Sequence, residues 1–452
     1  MISNSSALDQ SQLAFLQDID PLIQRYRALF SLLDWNLVPP RDSQRAWPGS
    51  PPHPQRAYVK ALLVKLCEDK IHITQLRRFL LEHPLLVLEL GFLPVRDSSQ
   101  PYGFDVARTV PGDRWLRHKQ HHLDHGFLQA LLRATVHDLQ VEIPGLGEVV
   151  SFDVKHIYAW VKENNPRVSM LDRFCKDRQP KGDPDCRVGV KKSTNQVQAD
   201  GSTKTKKEYL WGYGSGVAAA ITADYGDMIL AEDTLPFNEG DVTYFRPLYW
   251  QTVATLGFFP THITADAAYD AWYVYETCVR HQGIAAVPLN AHTKTIFASD
   301  GVPFCDKGLR MTPTYAFAHP NGYQAQRYRC PLLHPERTAE TCDHEQFAKG
   351  KGCVKDLNAE AGGRMRVLLD RTGPLYRAVY RQRTSAERIN SQAKAQGIER
   401  PHVRNRHSVA NLNTLTYILV NLKALQRVRS INAQLLSFPQ DPFRAPPVLL
   451  KS

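Results

Sequence analysis

The sequence predicts an α/β fold, and three features along its 452 residues support this. Strand-like segments alternate with helix-like segments from about residue 148 to residue 290, which is typical of a sheet covered by helices. A helical region precedes these segments, and an amphipathic helical pattern closes the chain from Leu375 to Arg429. We therefore expect a sheet-and-helix core with a helical domain in front of it.

The composition is that of a globular protein with a net positive charge. Hydrophobic residues make up 43% and charged residues 22% of the chain, which suffices for a buried core. The formal net charge of +11 favours a polyanionic partner, either a nucleic acid or an anionic membrane surface. No apolar run approaches the roughly 18 residues that a membrane-spanning helix needs, so we expect no membrane partner.

The eight cysteines and the amino-terminal residues indicate an intracellular compartment. The first ten residues, MISNSSALDQ, contain no basic residue ahead of an apolar stretch, so no secretory signal is expected there. Without such a signal, reduced thiols are the expected state of the cysteines. We therefore expect a cytoplasmic protein.

The region before the core is predicted to be helical. Residues 1–55 combine a short apolar-periodic stretch with a linker at Pro51–Pro54, because proline fixes φ and removes a hydrogen-bond donor. Apolar residues recur at spacings of three and four between Tyr58 and Phe92, and residues 113–140 show the pattern of another helix. Residues 56–145 are therefore predicted to form a helical, basic region.

The core is predicted to begin with a half-buried strand. In Glu148–Lys155, Val150 and Phe152 alternate with polar residues that include Asp153. Residues 146–290 are then interpreted as the first part of an α/β core. Its further elements are a mobile Lys-rich loop at Lys191–Lys207, a strand at Leu210–Ile221, a helix at 242–256, a strand at Thr261–Asp266, a helix at 268–282 and a short buried strand at 283–289.

Residues 291–370 interrupt this alternation and are predicted to form a loop-rich insertion within the core. They are rich in Gly, Pro, Cys and His and lack long periodic runs. A structural Zn²⁺ needs four ligands, but the candidate cysteines lack the Cys-x2-Cys spacing of a zinc knuckle, so reduced thiols are the favoured alternative. The candidate ligands are Cys305, Cys330, Cys342, Cys353, His334 and His344.

Residues 371–430 carry the most informative pattern, which is Tyr380, Arg383, Glu387 and Lys394. On one helix these positions lie within roughly 60° of each other and form one polar face. A carboxylate among two cations and a phenol suits a site where a metal-bound carboxylate acts beside phosphates. The alternative is a solvated helix face with incidental ion pairs.

Basic residues continue beyond this pattern. Residues 371–410 contain nine Lys or Arg and two Glu, and Arg400, Arg404 and Arg406 belong to this group. Such a stretch predicts contacts with phosphates, which supply most of the sequence-independent affinity for nucleic acids.

Two aspartates extend the candidate site to the strands. Asp153 stands mid-strand between apolar neighbours, where an unpaired buried carboxylate is costly and needs a partner or a metal. Asp266 ends a predicted strand, where α/β sheets place their sites, although it could instead cap the following helix. With Glu387 they form an oxygen-rich set suited to Mg²⁺ or Mn²⁺, and the chemistry expected of it is two-metal phosphoryl transfer.

These blocks resemble bacterial insertion-sequence transposases of the Asp-Asp-Glu class, in the branch with a Tyr-x2-Arg-x3-Glu-x6-Lys motif. That motif corresponds to Tyr380, Arg383, Glu387 and Lys394, with every interval kept. The aspartate blocks match as Ser-Phe-Asp153-Val-Lys and Thr-Ala-Asp266-Ala-Ala-Tyr-Asp270. The resemblance extends over roughly residues 55 to 430.

The resemblance implies an RNase H-like catalytic core with Asp153, Asp266 and Glu387 as catalytic residues and as ligands of two Mg²⁺ or Mn²⁺ ions. It also implies that the enzyme cleaves the ends of its own element and joins the freed 3′-OH to target DNA. Residues 56–145 would bind DNA and dimerise, residues 371–430 would form the last core helices, and residues 431–452 would be a tail.

The implied partners are double-stranded DNA, as terminal inverted repeats and as target, and further copies of the chain in a dimer or larger synaptic complex. The protein would then associate with the nucleoid when bound to DNA. Two alternatives stay open, namely a catalytically silent DNA-binding protein and a nuclease that does not join strands. The residues expected to contact DNA are Tyr380, Arg383, Lys394, Arg400, Arg404 and Arg406.

Overall fold

The computed structural model describes residues 8–40, 52–197, 203–222, 225–290 and 295–437. Parts of the predicted linker, the Lys-rich segment and the tail lie outside these ranges. The chain divides into two compact units. One unit comprises Met1–Leu146, Thr222–Gly226 and Leu415–Ser452, and the other comprises Gly147–Ile221 and Asp227–Thr414.

The first unit is built mainly from helices. They are α1 (Gln10–Ile19), α2 (Pro21–Phe30), α3 (Gln55–Cys67), α4 (Ile73–Glu82), α5 (Pro84–Glu89), α6 (Val106–Thr109), α7 (Asp113–His122) and α8 (His125–Glu142), together with the two-residue strands β1 (Val95–Arg96) and β2 (Phe104–Asp105). The predicted apolar side chains pack inward, as Leu62 and Leu63 of α3 and Leu131 and Leu132 of α8 are all buried. The helical prediction for this part of the chain is therefore confirmed at the level of element type.

Both helical stretches predicted here are divided into shorter helices in the structure. The region from Tyr58 to Phe92 breaks after α3, where Asp69 adopts a left-handed φ of 48°, and again at Pro84, which begins α5. The region 113–140 breaks before α8, where the Asp124 carboxylate accepts a hydrogen bond from the Phe127 amide at 3.1 Å. Apolar spacing alone did not reveal these breaks, because the pattern continues across them.

The second unit contains a six-stranded sheet. Its strands are β3 (Val149–Tyr158), β4 (Arg187–Val197), β5 (Thr203–Thr222), β6 (Gly226–Pro236), β7 (His262–Thr264) and β8 (Ile284–Ala286). The order is β4-β5-β3-β7-β8, and β6 also pairs with β5. β5 runs antiparallel to β3, whereas β7 is parallel to β3 and β8 is parallel to β7. This mixed α/β arrangement is compatible with an RNase H-like core.

The Lys-rich segment was predicted to be a loop, and that prediction is wrong for its described residues. Lys191 pairs with Glu208 and Lys192 pairs with Lys207 across the antiparallel strands β4 and β5. Residues 198–202 between them lie outside the described ranges. β6 was not predicted at all. The polar residues of β4 and of the start of β5 lack the apolar alternation that predicts a strand, although the two consecutive strands pair with each other through backbone hydrogen bonds.

Two helices of this unit lie where the sequence predicted them. They are α9 (Phe245–Leu256) and α10 (Trp272–Arg280). Each follows a short 3-10 turn, at Asp241–Tyr244 and Ala267–Tyr269 respectively. These turns bring polar residues to the start of each helix.

The predicted insertion contains a sheet of its own. β9 (Thr312–His319), β10 (Tyr323–Arg329) and β11 (Val354–Asn358) form an antiparallel sheet in the order β11-β10-β9. Two short helices, α11 (Glu345–Ala348) and α12 (Ala361–Leu368), complete the region. The sequence predicted a loop-rich segment because the three strands are short and produce no long periodic pattern of apolar residues.

The last helices are α13 (Pro374–Arg381), α14 (Thr384–Ala395) and α15 (Arg406–Ser437). The sequence predicted one helix through Tyr380 and Lys394, but the α-helical hydrogen bonding is interrupted at Gln382 and Arg383. Both residues keep right-handed helical angles (φ −73° and −54°). No helix within the described ranges is long and apolar enough to cross a membrane.

A substitution at Gly216 would test how tightly the sheet packs against the turn that begins at Asp241. A Cβ at Gly216 would lie 2.4 Å from Cδ1 of Tyr244, which is buried. We expect Gly216→Ala to lower the free energy of unfolding by about 1–3 kcal/mol, because the Tyr244 ring must move. Chemical denaturation measures this change.

The matched control is Gly240→Ala, whose Cβ would meet nothing within 4 Å. We expect its unfolding midpoint to stay close to that of the wild type. Equal stability of the two variants would contradict the close packing of Tyr244 on β5.

Candidate active site

The sheet brings Asp153 and Asp266 together. Ser151 of β3 is the register partner of Thr264 of β7, and each aspartate follows two residues later. Neighbouring parallel strands lie about 4.8 Å apart, so the two carboxylates leave the sheet at the same level. Asp266 also accepts a hydrogen bond from the Ala268 amide at 2.9 Å, which is the capping role that the sequence left open. One oxygen of Asp266 therefore caps the 3-10 turn while the residue stands beside Asp153.

Helix α14 is fixed against β3 beside these carboxylates. The Ser151 hydroxyl donates to the backbone carbonyl of Arg383 at 3.1 Å. The Asn390 amide donates to Oδ2 of Asp153 at 2.8 Å. Glu387 lies on the same helix, and its side chain is 46% exposed and accepts from Nη2 of Arg383 at 2.7 Å. The structure thus brings Glu387 to this edge of the sheet as an ion pair with Arg383.

Burial and neighbouring negative charge raise the pKa of two of the carboxyl groups at this site, Asp153 and Asp241. Burial raises the pKa of Asp153 to about 6, the charge of Asp266 adds to this, and the hydrogen bonds from the Val154 amide and Asn390 oppose it. Burial also raises the pKa of Asp241 to about 7, and the charges of Asp266 and Asp153 contribute. Three carboxyl groups therefore share one partly buried region, and this concentrates negative charge there.

Asp241 is a functional candidate that the sequence did not reveal. It begins the 3-10 turn before α9, and this turn contacts both β3 and the turn that follows Asp266. An aspartate at the start of a predicted helix is typical of a helix cap, so nothing local distinguished it. Its proximity to Asp153 results from the return of the chain to the sheet.

Two buried polar atoms beside the carboxylates have no hydrogen-bond partner among the described residues. They are the hydroxyl of Tyr269 and Oδ1 of Asn390. Burial raises the pKa of Tyr269, and the charges of Asp241, Asp153 and Asp266 add to the effect, so Tyr269 stays a neutral phenol. A phenol hydroxyl and an amide oxygen are thus available beside the carboxylates.

The motif residues divide into two groups. The Arg383 guanidinium lies 5.8 Å from the centroid of the Tyr380 ring and contacts Glu387. Lys394 instead pairs with Glu399 at 3.0 Å, and Lys155 pairs with the same carboxylate at 3.2 Å. The predicted polar face is therefore continuous from Tyr380 to Glu387, while Lys394 belongs to a neighbouring cluster of ion pairs.

The three arginines beyond the motif occupy different surroundings. Arg400 lies over the Tyr158 ring, with its guanidinium carbon 4.1 Å from the ring centroid. Arg404 lies 5.1 Å from the Trp160 ring and donates to the Trp160 carbonyl at 3.3 Å. Both are exposed. Arg406 donates from Nε to a backbone carbonyl, that of Thr234, at 2.7 Å, so its guanidinium is partly engaged within the protein.

Asp270, the last residue of the second aspartate block, has a structural role. Its carboxylate accepts two hydrogen bonds from Arg366, at 2.7 and 2.6 Å. Burial alone would raise the pKa of Asp270, but the bonds from Arg366 outweigh it and hold this pKa below its ordinary value. Asp270 thereby links the block after β7 to α12.

No group of three or more His, Cys, Asp or Glu side chains within the described ranges is arranged to hold a metal ion. Asp153 and Asp266 stand side by side, but Glu387 is held by Arg383. All eight cysteines are free thiols, and burial followed by the nearby Cys305 and Cys330 raises the pKa of Cys353 to about 11. A structural Zn²⁺ at these cysteines stays a prediction.

Sequence comparison finds no matching family or curated protein, and structural comparison finds a weak likeness. No protein-family model matches the sequence, and no curated protein matches it. Among solved structures, the chain is similar to a cryo-EM structure of a piggyBac transposase synaptic complex with hairpin DNA. The TM-score is 0.30 at 10% identity, over 94% of this chain and 84% of that chain. At this level the likeness carries no argument, so the functional assignment depends on the site itself.

The raised pKa of Asp241 predicts a pH-dependent stability in metal-free protein. A carboxyl with a folded pKa near 7 stabilises the fold fully below about pH 4 and loses that contribution as the pH rises through 7. We expect Asp241→Asn to gain stability relative to wild type between pH 5 and pH 8, because asparagine carries no charge. Thermal unfolding in a chelating buffer measures the difference at each pH.

Asp356→Asn is the control, because the bond from Arg327 holds the pKa of Asp356 below its ordinary value. Its contribution is lost only at acidic pH, so this variant should differ from wild type by a similar amount at pH 5 and at pH 8. A pH-independent effect of Asp241→Asn would contradict the crowding of the three carboxyl groups.

Proposed function

We propose that this protein is a DNA transposase that cleaves the ends of its own element and joins the 3′-OH ends to target DNA. One observation carries the proposal. Asp153 and Asp266 stand at matching levels on two neighbouring parallel strands, and the helix bearing Glu387 is hydrogen bonded to the first of these strands. Carboxylates from two strands and one helix form an oxygen-rich set for phosphoryl transfer.

The donor set fits a hard divalent cation at Asp153 and Asp266. Both groups offer oxygen ligands. Burial, with a further contribution from the charge of Asp266, raises the pKa of Asp153, and a bound cation would offset the repulsion between the two carboxylates. Glu387 is the third proposed ligand, and its ion pair with Arg383 would have to open first. The chemistry that Mg²⁺ or Mn²⁺ supplies when bound is activation of an attacking hydroxyl and stabilisation of a leaving oxygen.

Other side chains would position the substrate and the carboxylates. Asn390 holds Asp153 through a 2.8 Å hydrogen bond and so orients this carboxylate. Arg383 stands beside Glu387 and over Tyr380, and a phosphate entering the site would compete with Glu387 for its guanidinium. Tyr380 limits the directions in which this guanidinium can move.

A path for the DNA backbone is proposed along the end of β3. Arg400 and Arg404 are exposed and are stacked on Tyr158 and Trp160, which follow Asp153 on the same stretch of chain. Stacking reduces the conformational freedom that each arginine loses on binding a phosphate. Lys394 would contribute further charge after release from Glu399.

The terminal inverted repeats, the target DNA and a dimeric or larger synaptic complex belong to the same proposal. A nuclease without strand joining would use the same carboxylates, and a silent DNA-binding protein would use only the basic residues. The product of the reaction distinguishes the three functions, since only a transposase yields joined DNA.

Cation binding provides a test that is independent of catalysis. We expect millimolar Mg²⁺ or Mn²⁺ to raise the melting temperature of the wild-type protein, because a ligand that binds only the folded state stabilises it. The double variant Asp153→Asn/Asp266→Asn should show no such increase in differential scanning fluorimetry. An equal shift in both proteins would exclude this pair as the cation site.

Glu387→Gln tests the catalytic assignment. With Mg²⁺ and a plasmid carrying the element and its flanking DNA, we expect the wild type to release or join DNA. Glu387→Gln should lose this activity by at least about 100-fold and keep its DNA affinity, because a carboxylate is lost while the basic residues stay. Gel analysis with sequencing of new junctions measures the product, and fluorescence anisotropy measures binding.

Glu345→Gln is the matched control, since Glu345 is an exposed glutamate on α11 that pairs with Lys349. It should cleave and join like the wild type. Cleavage without joined product by the wild type would favour the nuclease, and binding without cleavage would favour the silent protein.

A further inference from the structure

Helix α7 carries an unusual concentration of basic and aromatic side chains. Its sequence is DRWLRHKQHH, and its single acidic residue, Asp113, stands in the first turn. Leu116 and Gln120 are buried and face the unit, where α7 packs against α3 and α4. The outward face therefore consists of the remaining side chains. The exposed ones are Arg114, Trp115, Arg117, His118 and His122.

The two arginines of this face are not neutralised. No carboxylate in the described part of the chain forms an ion pair with Arg114 or Arg117. Two other arginines of this unit differ, since Arg78 of α4 pairs with Glu82 at 3.0 Å and Arg27 of α2 pairs with Glu89 at 2.8 Å. The outward face of α7 thus keeps uncompensated positive charge.

An ordered column of rings stands beside these arginines. The ring of Trp115 stacks on His118 at 4.9 Å and 4°, and His118 stacks on His122 at 4.2 Å and 14°. The Trp115 indole donates to the Tyr58 hydroxyl of α3 at 2.8 Å, which anchors the column. Trp115 nevertheless stays 40% exposed. The face is therefore preorganised and open to solvent.

We infer that the outward face of α7 is a docking surface for duplex DNA, with Arg114 and Arg117 contacting phosphates and the ring column lying against the groove. The inference rests on the proposed DNA function and assigns to it a second contact, on the unit that does not contain the carboxylates. Unpaired arginines match the polyanionic backbone, and a straight helix of ten residues, about 15 Å long, fits the major groove.

An anionic membrane surface fits this face less well. Interfacial helices bury a broad apolar face in the lipid, whereas the apolar Leu116 of α7 points into the protein. Trp115 is the large apolar side chain that the face exposes, and its indole is tied to Tyr58. The charge and the geometry both favour DNA.

The test compares Arg114→Ala/Arg117→Ala with Arg78→Ala in the full-length protein. Arg78 is an exposed arginine of α4 whose ion pair with Glu82 already satisfies it, which makes it a matched control. The probe is a fluorescein-labelled 30-base-pair DNA duplex in metal-free buffer, titrated at several KCl concentrations. Thermal unfolding of each variant verifies that it folds.

We expect the double variant to bind at least about tenfold more weakly near 0.1 M salt and to reduce the salt slope by about 1.8, because two phosphate contacts are lost. Arg78→Ala should bind like the wild type. An unchanged affinity and slope in the double variant, or an equal loss in Arg78→Ala, would overturn the inference. So would loss of binding to phosphatidylserine vesicles with DNA affinity retained.

This measurement is separate from the proposed chemistry. Binding is measured without Mg²⁺, so a failure to cleave or join DNA would contradict the transposase function and leave the α7 result intact. Conversely, a wild type that joins DNA while the double variant keeps full affinity would overturn the α7 surface alone.

Discussion

The hydrogen bonds that pair β3 with β7 in parallel register set the positions of the candidate catalytic groups. Because Ser151 lies opposite Thr264, the two aspartates that follow leave the sheet side by side. Two hydrogen bonds then hold helix α14 against β3, one from Ser151 to the Arg383 carbonyl at its start and one from Asn390 to Asp153. A shift in this register by one residue would turn one aspartate to the other face of the sheet and separate the pair.

The same arrangement creates an electrostatic conflict within the protein. Asp153, Asp266 and Asp241 crowd into a partly buried region. Burial raises the pKa values of Asp153 and Asp241, and the charges of neighbouring aspartates add to this. Arg383 stands next to this region but is directed to Glu387. The crowded carboxylates favour the binding of a cation, and the Arg383 guanidinium favours the binding of a phosphate.

The sequence predicted those parts whose signal is local. The alternation in Glu148–Lys155 predicted β3, and apolar spacing predicted the helical character of the first 145 residues. The sequence did not predict the strands that lack this alternation, although they pair with the next strand along the chain. The lysine-rich parts of β4 and β5 have no apolar alternation, and β6 was not predicted as a strand. The helix predicted through the motif is interrupted at Gln382 and Arg383. Neither residue is of a type that predicts such a break in the hydrogen bonding.

The sequence by itself determined the residue types, the spacing of the motif and the charge, and these pointed to carboxylates acting beside phosphates. Only the tertiary structure decided which carboxylates meet. Asp241 lies near Asp153 because a turn 88 residues later in the chain packs against the sheet. Lys394 forms an ion pair with Glu399 and not with Glu387. The reason is physical, since side-chain proximity across a sheet depends on strand order and register, which are long-range properties that local sequence patterns do not encode.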